Sequence, residues 1–332
     1  MIHLLIPWPW GDTDEHGQTT DFHGRRLGPV RPCLSVFVRY NPPMRRPPSR
    51  LLFAAAVFLV SLPLAAWQDP VAQGDAAWSR RAQGAQGGQA QPGPIDEAIA
   101  AYGRALQADP ANLDAAWKLL RALHFKGEYV ARGQEEKQTI FARGRDVAEA
   151  ALDRLGQRVG GRKKLDAMEP PQAARALAGI PQARPIHLWA AVHWGLWGDN
   201  FGRLAAARQG VGDRVRRSAE ILIALHETYE EAAGHRILGR LHTLAPKVPF
   251  FTGWVDRAKA VSELRRAVAL APDNFLNHLY LAEALIEHQP EKKNEAQDIL
   301  RRLLARHPSP ERPVEDERAL ADARTLLARS SE

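Results

Sequence analysis

The sequence predicts an all-α fold made of successive helix-turn-helix pairs, and two observations carry this prediction. Small and large apolar residues recur at steps of four and three and are closed by a proline, as in Ala98, Tyr102, Ala105 and Pro110. Such steps put side chains on one helix face, and proline ends a helix because it lacks a backbone N–H. The pattern then returns twice, at Ala260, Leu264, Ala267 and Pro272 and at Ala296, Leu300, Leu303 and Pro308.

A second apolar-periodic helix follows each proline turn, after Pro110 in one case and after Pro272 in the other. Pro272 and Pro308 are 36 residues apart, close to the period of about 34 that is typical of tetratricopeptide repeats. The spacing from Pro110 to Pro272 is much longer and contains degenerate copies. The sequence therefore predicts an irregular tetratricopeptide-like helix-turn-helix superhelix, without strands, because every periodic segment has the helical period.

Five further helices are predicted from the same periodicity. They span residues 113–125, 135–155, 186–207, 213–226 and 315–328. Two stretches interrupt the pattern with glycine, proline and glutamine, near 83–94 and near 156–185, and we predict flexible inserts there. The helical domain as a whole is expected to cover residues 67–330.

The N-terminal part of the chain has the pattern of an export signal. Residues 44–66 combine a basic start with Arg45 and Arg46, an uncharged run from Leu51, and two small residues at the end, which is typical of a secretory signal peptide. We expect cleavage near Trp67; an uncleaved membrane anchor is the alternative. Residues 1–43 show no period, and are interpreted as an upstream extension from a wrongly chosen start codon or as a disordered segment.

Composition excludes several function classes. The single cysteine, Cys33, excludes a disulfide framework and cysteine-based zinc or iron-sulfur sites. The formal charge is +7, but the arginines are dispersed, so no nucleic-acid partner is expected. No histidine pair has metal-ligand spacing, and no nucleophile elbow or phosphate-binding loop occurs. We therefore expect no metal, no cofactor and no enzymatic activity.

Two aromatic groups are the candidate ligand-binding residues. The first is a tryptophan helix with Trp189, His193, Trp194 and Trp197, and the second is an apolar loop. The loop residues are Phe250, Phe251 and Trp254, with His235 as a further polar candidate. Aromatic side chains with a few polar groups commonly line ligand pockets, and we predict one shared cavity. The alternative is that both groups fill separate cores between helices, and that His235 fixes a helix start by hydrogen bonding.

Four segments carry a family resemblance: Trp189 to Trp197, Gly234 to Gly239, Ala245-Pro246 and Ala269 to Glu283. Through them the sequence resembles the TRAP-transporter-associated TatT component family over most of residues 74–328. The resemblance implies an all-helical periplasmic scaffold that works beside a periplasmic solute-binding protein, with a pore or cleft for a small apolar or organic-acid ligand. The chain lacks the cysteine after the signal that lipoprotein members carry.

Two functions follow as hypotheses. The favoured one is an exported, non-enzymatic scaffold in the cell envelope, periplasmic or secreted, that binds another envelope protein through its concave surface, since stacked helix pairs create such surfaces. The alternative is an accessory component of a TRAP-type solute transporter that binds or channels a small ligand. Assembly as a homo-oligomer is a further expectation.

Overall fold

The structure, a computed structural model, describes residues 69–247 and 252–331. The described residues form fourteen α-helices and one 3-10 turn, Pro290–Lys292, and contain no strand. The predicted all-α class is therefore confirmed. The predictions for residues 1–66, the upstream extension and the signal peptide, lie outside the described residues, and the division into domains stays a prediction.

The helices have the following bounds. They are α1 Pro70–Ser79, α2 Pro92–Ala108, α3 Leu113–Tyr129, α4 Gln134–Arg158, α5 Arg162–Asp166, α6 Pro170–Leu177, α7 Ala183–Phe201, α8 Arg203–Arg208, α9 Val211–Leu225, α10 Tyr229–Leu244, α11 Arg257–Leu270, α12 Phe275–His288, α13 Lys293–Leu304 and α14 Pro313–Ser331. Within residues 69–247 and 252–331, no helix has both the length and the apolar content that a membrane span needs.

The turns inside the helix pairs are set by short polar side chains that cap the second helix. Asn112 accepts a hydrogen bond from the Ala115 N–H at 2.9 Å, and Asn274 accepts one from the Asn277 N–H at 3.0 Å. An asparagine at this position satisfies a backbone donor that the first turn of a helix leaves without a partner. The proline that ends one helix and the asparagine that starts the next thus fix both pairs.

Five helix pairs follow one another, and their members divide into two layers. We call α2, α4, α9, α11 and α13 the outer helices and α3, α7, α10, α12 and α14 the inner helices. Each outer helix packs on the inner helix that follows it, and the inner helices also contact one another in succession. Because the inner helices are the closer neighbours across successive pairs, the array curves toward them.

The core lies between the two layers, on the predicted helix faces. Ala98, Tyr102, Leu264 and Leu300 have no exposed surface at all. The inner and outer helices approach closely where a residue is small: a Cβ built on Gly239 of α10 would lie 2.5 Å from a side-chain carbon of Leu264 of α11. A larger residue at 239 would push the two helices apart, so the small residues of the pattern determine the interhelical distance.

The long interval between the repeats contains structure of its own. The 156–185 insert contains α5 and α6, whose Leu165, Ala173 and Leu177 are buried in the core against α3, α4 and α7. The flexibility predicted for this insert and for 83–94 stays a prediction. The prediction of a single helix over 186–207 is wrong. The helix is interrupted at Gly202, which has φ of 90° and separates α7 from α8.

The last helix meets the first ones and closes the inner helices into a ring. Val314 of α14 is 1% exposed and belongs to the apolar cluster formed by α1, α2 and α3. Beside it, Arg81 forms an ion pair of 3.2 Å with Glu315, and Arg318 donates to the backbone carbonyl of Glu128 at 3.4 Å. These contacts join residues more than 180 positions apart, and we call them the ring seam.

A left-handed turn opens α10. Glu230, Glu231 and Ala232 have φ of 45°, 58° and 61°, a region that costs a residue with a side chain roughly 1–2 kcal/mol. Arg236 donates to the carbonyl of Glu231 at 3.1 Å, and Asn277 of α12 donates to the same oxygen at 3.2 Å. These hydrogen bonds from two inner helices offset the cost of the turn.

Candidate functional site on the inner face of the ring

Two of the predicted tryptophans lie in the core. Trp194 and Trp197 of α7 are 4% and 6% exposed and pack against Val211 and Val215 of α9. The indole N–H of Trp194 donates to the carboxylate of Glu149 at 2.7 Å. Trp194 and Trp197 therefore hold α7 against α9 and α4.

Trp189 and His193 lie on another side of α7. Trp189 is partly buried, with its ring 5.1 Å from that of His124 of α3. His193 has no exposed surface, and its Nε2 lies 2.8 Å from the Leu120 carbonyl. Burial lowers the pKa of His193 to about 4, so the ring is neutral at pH 7 and its Nε2–H donates to that carbonyl. His193 therefore links α7 to α3.

His235 joins three consecutive elements. Its Nδ1 lies 2.6 Å from a carboxylate oxygen of Glu263 of α11, and its Nε2 lies 3.2 Å from Glu227, just before α10. Arg266 also pairs with Glu227, at 2.8 Å. The alternative predicted for His235 was hydrogen bonding that fixes a helix start. Its contact with Glu227 joins α10 to the residues just before that helix.

The loop residues are only partly described. Phe250 and Phe251 lie outside the described residues. Trp254 packs edge-on against His242, with ring centres 5.5 Å apart, and a Cβ built on Gly212 of α9 would lie 3.1 Å from its indole. Since Val211, next to Gly212, packs on Trp194 and Trp197, one end of α9 neighbours both aromatic groups. The shared cavity stays a prediction.

The inner face of the ring carries a group of polar side chains that sequence analysis did not select. All five inner helices contribute one each: Glu128, Asp199, Arg240, Tyr280 and Asp322. The charges of Arg240 and Glu128 both act on Asp199, and those of Arg240 and Glu128 also act on Tyr280. Arg240 acts on Asp322 as well. The inner helices thus bring these groups to one place.

Asp199 shows that this place is open to water. Its side chain is exposed to solvent, yet the mass of protein around its carboxyl raises its pKa to about 6, with Glu128 acting in the same direction and Arg240 against it. We call the concave side of the ring, which the inner helices line, the lumen of the ring.

A buried ion pair lies on the wall of the lumen. Arg240 of α10 pairs with Glu283 of α12, and both side chains are nearly inaccessible, at 12% and 3% exposed. The Arg240 guanidinium also lies over the Tyr280 ring, 4.4 Å from its centre. Because removing one partner of such a pair leaves a buried charge, this cluster holds α10 and α12 in one geometry.

A cation lies against aromatic rings at the middle of α3. The Arg121 guanidinium lies over the rings of Trp78 and Trp117, at 4.0 and 5.0 Å from their centres. Burial lowers the pKa of Arg121, and the charge of Glu230, in the left-handed turn of α10, acts on it in the opposite direction. Cation-π contacts of this kind stabilise a guanidinium away from water.

The sequence contained a signal for the charged residues of the inner helices. Glu283 stands between Ala282 and Ala284 in an apolar stretch, and Arg236 and Arg240 are four residues apart in an apolar-periodic helix, so each is a charge in a segment that is otherwise buried. Which of these charges meet could not be read from the sequence, because partners such as Glu128 and Asp322 are nearly 200 positions apart. In 69–247 and 252–331, no three or more His, Asp or Glu side chains are grouped to hold a metal ion.

The fold and site define a class: an all-α protein of tetratricopeptide-like helix pairs whose inner helices bring polar side chains together. No protein-family model matches the chain, and no curated protein matches it either. Among solved structures it is similar to the complex of the yeast Sti1 TPR2AB domain with pHSP90, at 11% identity over 79% of this chain and 97% of that one, with a TM-score of 0.27. At this TM-score the backbones do not superimpose as wholes, so the class is defined by the helix pairs themselves.

Proposed function

We propose that this protein is a non-enzymatic binding protein of the cell envelope that holds a small organic ligand in the lumen of its helical ring. The supporting observation is the inner face of the ring, where the buried pair of Arg240 and Glu283 and the solvent-exposed Asp199 come from three inner helices. A space enclosed by helices and lined by a few polar groups is a common form of ligand site. The ring seam adds to this, because a closed ring offers its inner face to small molecules more readily than to a folded partner.

The transporter-accessory role belongs to the same proposal. The resemblance to the TatT component family implies a periplasmic protein beside a solute-binding protein, and a lumen fits a component that receives or passes on a solute. Export by the 44–66 signal would place the protein in that compartment. Pull-down from envelope extract tests the role, with a solute-binding protein as the expected main partner.

The lumen itself is tested by native mass spectrometry of the freshly purified protein. We expect a bound small molecule in the wild type and its loss in Asp199→Trp, because an indole at this position would fill the space. Gln209→Trp, at an exposed position after α8, is the matched control and should retain the ligand. Equal retention in both variants, or no bound mass in the wild type together with no binding of added organic acids or amides, would overturn the proposal.

A scaffold for an envelope protein is the second candidate function. It is supported by the α7–α8 corner, where the large apolar residues Phe201 and Leu204 are exposed at 39% and 66%. Recovery of a cell-wall or secretion complex, lost in Leu204→Ser but not in Asp199→Trp, would favour this function over ligand binding.

A further inference from the structure

Two large apolar side chains are exposed to solvent at the α7–α8 corner, residues 201–208. Among the residues that the structure describes, the exposed large apolar side chains are Phe201 and Leu204. Three residues of chain span at most about 10 Å, so both side chains belong to one surface patch. A single exposed apolar residue is normal on a protein, whereas a patch commonly marks a contact with another surface.

The ring of Phe201 is attached to a rigid part of the fold. It stacks on the indole of Trp197, with ring centres 4.8 Å apart and an angle of 16° between the planes. Trp197 is itself buried in the apolar cluster between α7 and α9. One face of the Phe201 ring is therefore covered and held in place, and the remainder of the ring is in solvent.

Helix α8 has one covered side and one exposed side. Ala205 and Ala206 pack against the buried cluster between α7 and α9. Leu204 and Arg208 are both exposed, and because they are four positions apart they share one helix face. The exposed side of α8 thus combines an apolar side chain with a basic one.

The chain at and after the corner is strongly basic. Residues 201–217 contain five arginines and a single acidic residue, Asp213. Two of the arginines are engaged within the protein. Arg203 and Arg208 are exposed, and Arg214 keeps 41% of its side chain exposed although it pairs with a glutamate of α4. The apolar patch is therefore flanked by positive charge.

This combination fits the surface of an anionic bilayer better than a folded protein. A stable protein interface buries about 800 Å² of each partner around an apolar core, and two side chains do not supply such a core. Binding at a bilayer surface needs only a few large apolar side chains together with cations that meet the lipid phosphates. Arginine is suited to this contact, because its guanidinium donates two parallel hydrogen bonds to phosphate oxygens.

We propose that the α7–α8 corner binds an anionic phospholipid surface, with Phe201 and Leu204 inserted among the headgroups and Arg203 and Arg208 on the phosphates. The inference goes beyond the proposed function, since it needs neither a ligand in the lumen nor the transporter role. It gives the corner a lipid partner in place of the protein partner of the scaffold function.

Co-sedimentation with phospholipid vesicles tests the assignment. We expect the wild type to bind vesicles of phosphatidylglycerol and phosphatidylcholine in equal parts at least about tenfold more tightly than phosphatidylcholine alone. Leu204→Ser should weaken binding to the anionic vesicles at least about fivefold, because it removes inserted apolar area. Leu204→Trp should retain it, since an indole is favourable at the bilayer interface.

The contribution of charge is tested by Arg208→Gln. One basic residue near an anionic bilayer strengthens binding by about a factor of five, so this variant should lose about that factor on the anionic vesicles. Arg301→Gln, which replaces an exposed arginine of α13 paired with Asp298, is the matched control and should bind like the wild type.

A fluorescent label tests which side of the protein meets the vesicle, independently of any binding by residues 44–66. Ala207→Cys, at an exposed position of α8, carries a nitrobenzoxadiazole dye in a Cys33→Ser background. The emission of this dye should rise at least about twofold on the anionic vesicles, because the dye leaves water there. The same dye at Ala321→Cys, an exposed position of α14, should not change.

Equal binding of the wild type to anionic and neutral vesicles would overturn the inference. So would unchanged binding in Leu204→Ser, or a dye that responds at position 321 and not at position 207. Absence of vesicle binding by the wild type, together with an envelope protein whose recovery is lost in Leu204→Ser, would overturn it in favour of the scaffold function. The native mass measurement on the lumen is decided separately from each of these results.

Discussion

The same helices form the core between the two layers and the inner face of the ring, but different interactions stabilise these two regions. On the core side, Leu264 and Ala267 of α11 are fully buried at the spacing that the sequence repeats. On the inner side, α10 and α12 carry Arg240 and Glu283, and each of these two charges is stabilised by its partner from the other helix. The core is held by shape and apolar area, and the inner face by pairing of charges.

The largest effect is expected in the core. Ala267→Glu adds volume and an unpaired charge at a position with no exposed surface, so we expect a loss of at least about 4 kcal/mol in the free energy of unfolding. Chemical denaturation measures it. Ala269→Glu, on the exposed side of the same helix, should cost less than about 1 kcal/mol. Similar losses in the two variants would break the distinction between the faces.

The ring seam should show the next largest effect. Arg81→Gln leaves Glu315, only 18% exposed, without its partner, and breaking such a pair costs about 3 kcal/mol. Hydrogen exchange should rise at the N-terminal end of α14 in the same variant. The neighbouring Arg80→Gln breaks an exposed pair with Glu97, at 50% and 60% exposure, and should change stability by less than 1 kcal/mol.

Buried histidines of the core predict a pH dependence. Burial lowers the pKa of His187 to about 3, with the charges of Arg217 and Arg162 acting in the same direction, whereas the unfolded ring titrates near 6.5. The unfolded chain therefore binds a proton that the folded chain does not, and stability falls as pH decreases below about 6.5, by roughly 2 kcal/mol at pH 5 for this group.

His187→Leu separates this effect from the other histidines. Among the residues that the structure describes, neither ring nitrogen of His187 has a hydrogen-bond partner. The substitution should therefore keep or raise stability at pH 7 and reduce the loss between pH 7 and pH 5. The measurement is the denaturation midpoint against pH. A variant with the same pH slope as the wild type would contradict the assignment.

The smallest effect is expected at the left-handed turn. Glu230 has φ of 45°, a conformation that glycine adopts without cost. Glu230→Gly should therefore be about 1 kcal/mol more stable than Glu230→Ala, which keeps the Cβ and removes the same carboxylate. If alanine is the more stable of the two, the turn does not have this conformation in solution.

Prediction from sequence succeeded where contacts are local. The helix at 113–125 is found at Leu113–Tyr129 and that at 135–155 at Gln134–Arg158, because their periodicity and caps lie within a few residues. It failed at Gly202, where a single residue with positive φ divides one apolar-periodic stretch into α7 and α8. Trp194 and Trp197 illustrate the remaining difficulty, since an aromatic residue has the same pattern in a core as in a pocket.

The sequence by itself determined the all-α class, the pairing of helices and the core positions, because helical period, proline stops and asparagine caps act over one or two turns. Only the tertiary structure decided the ring seam and the inner face. Val314 meets the first helix pairs across more than 180 positions, and Glu128, Asp199, Arg240 and Tyr280 converge from four helices. Such contacts depend on the accumulated curvature of five packed pairs, and no local pattern of residues encodes that sum.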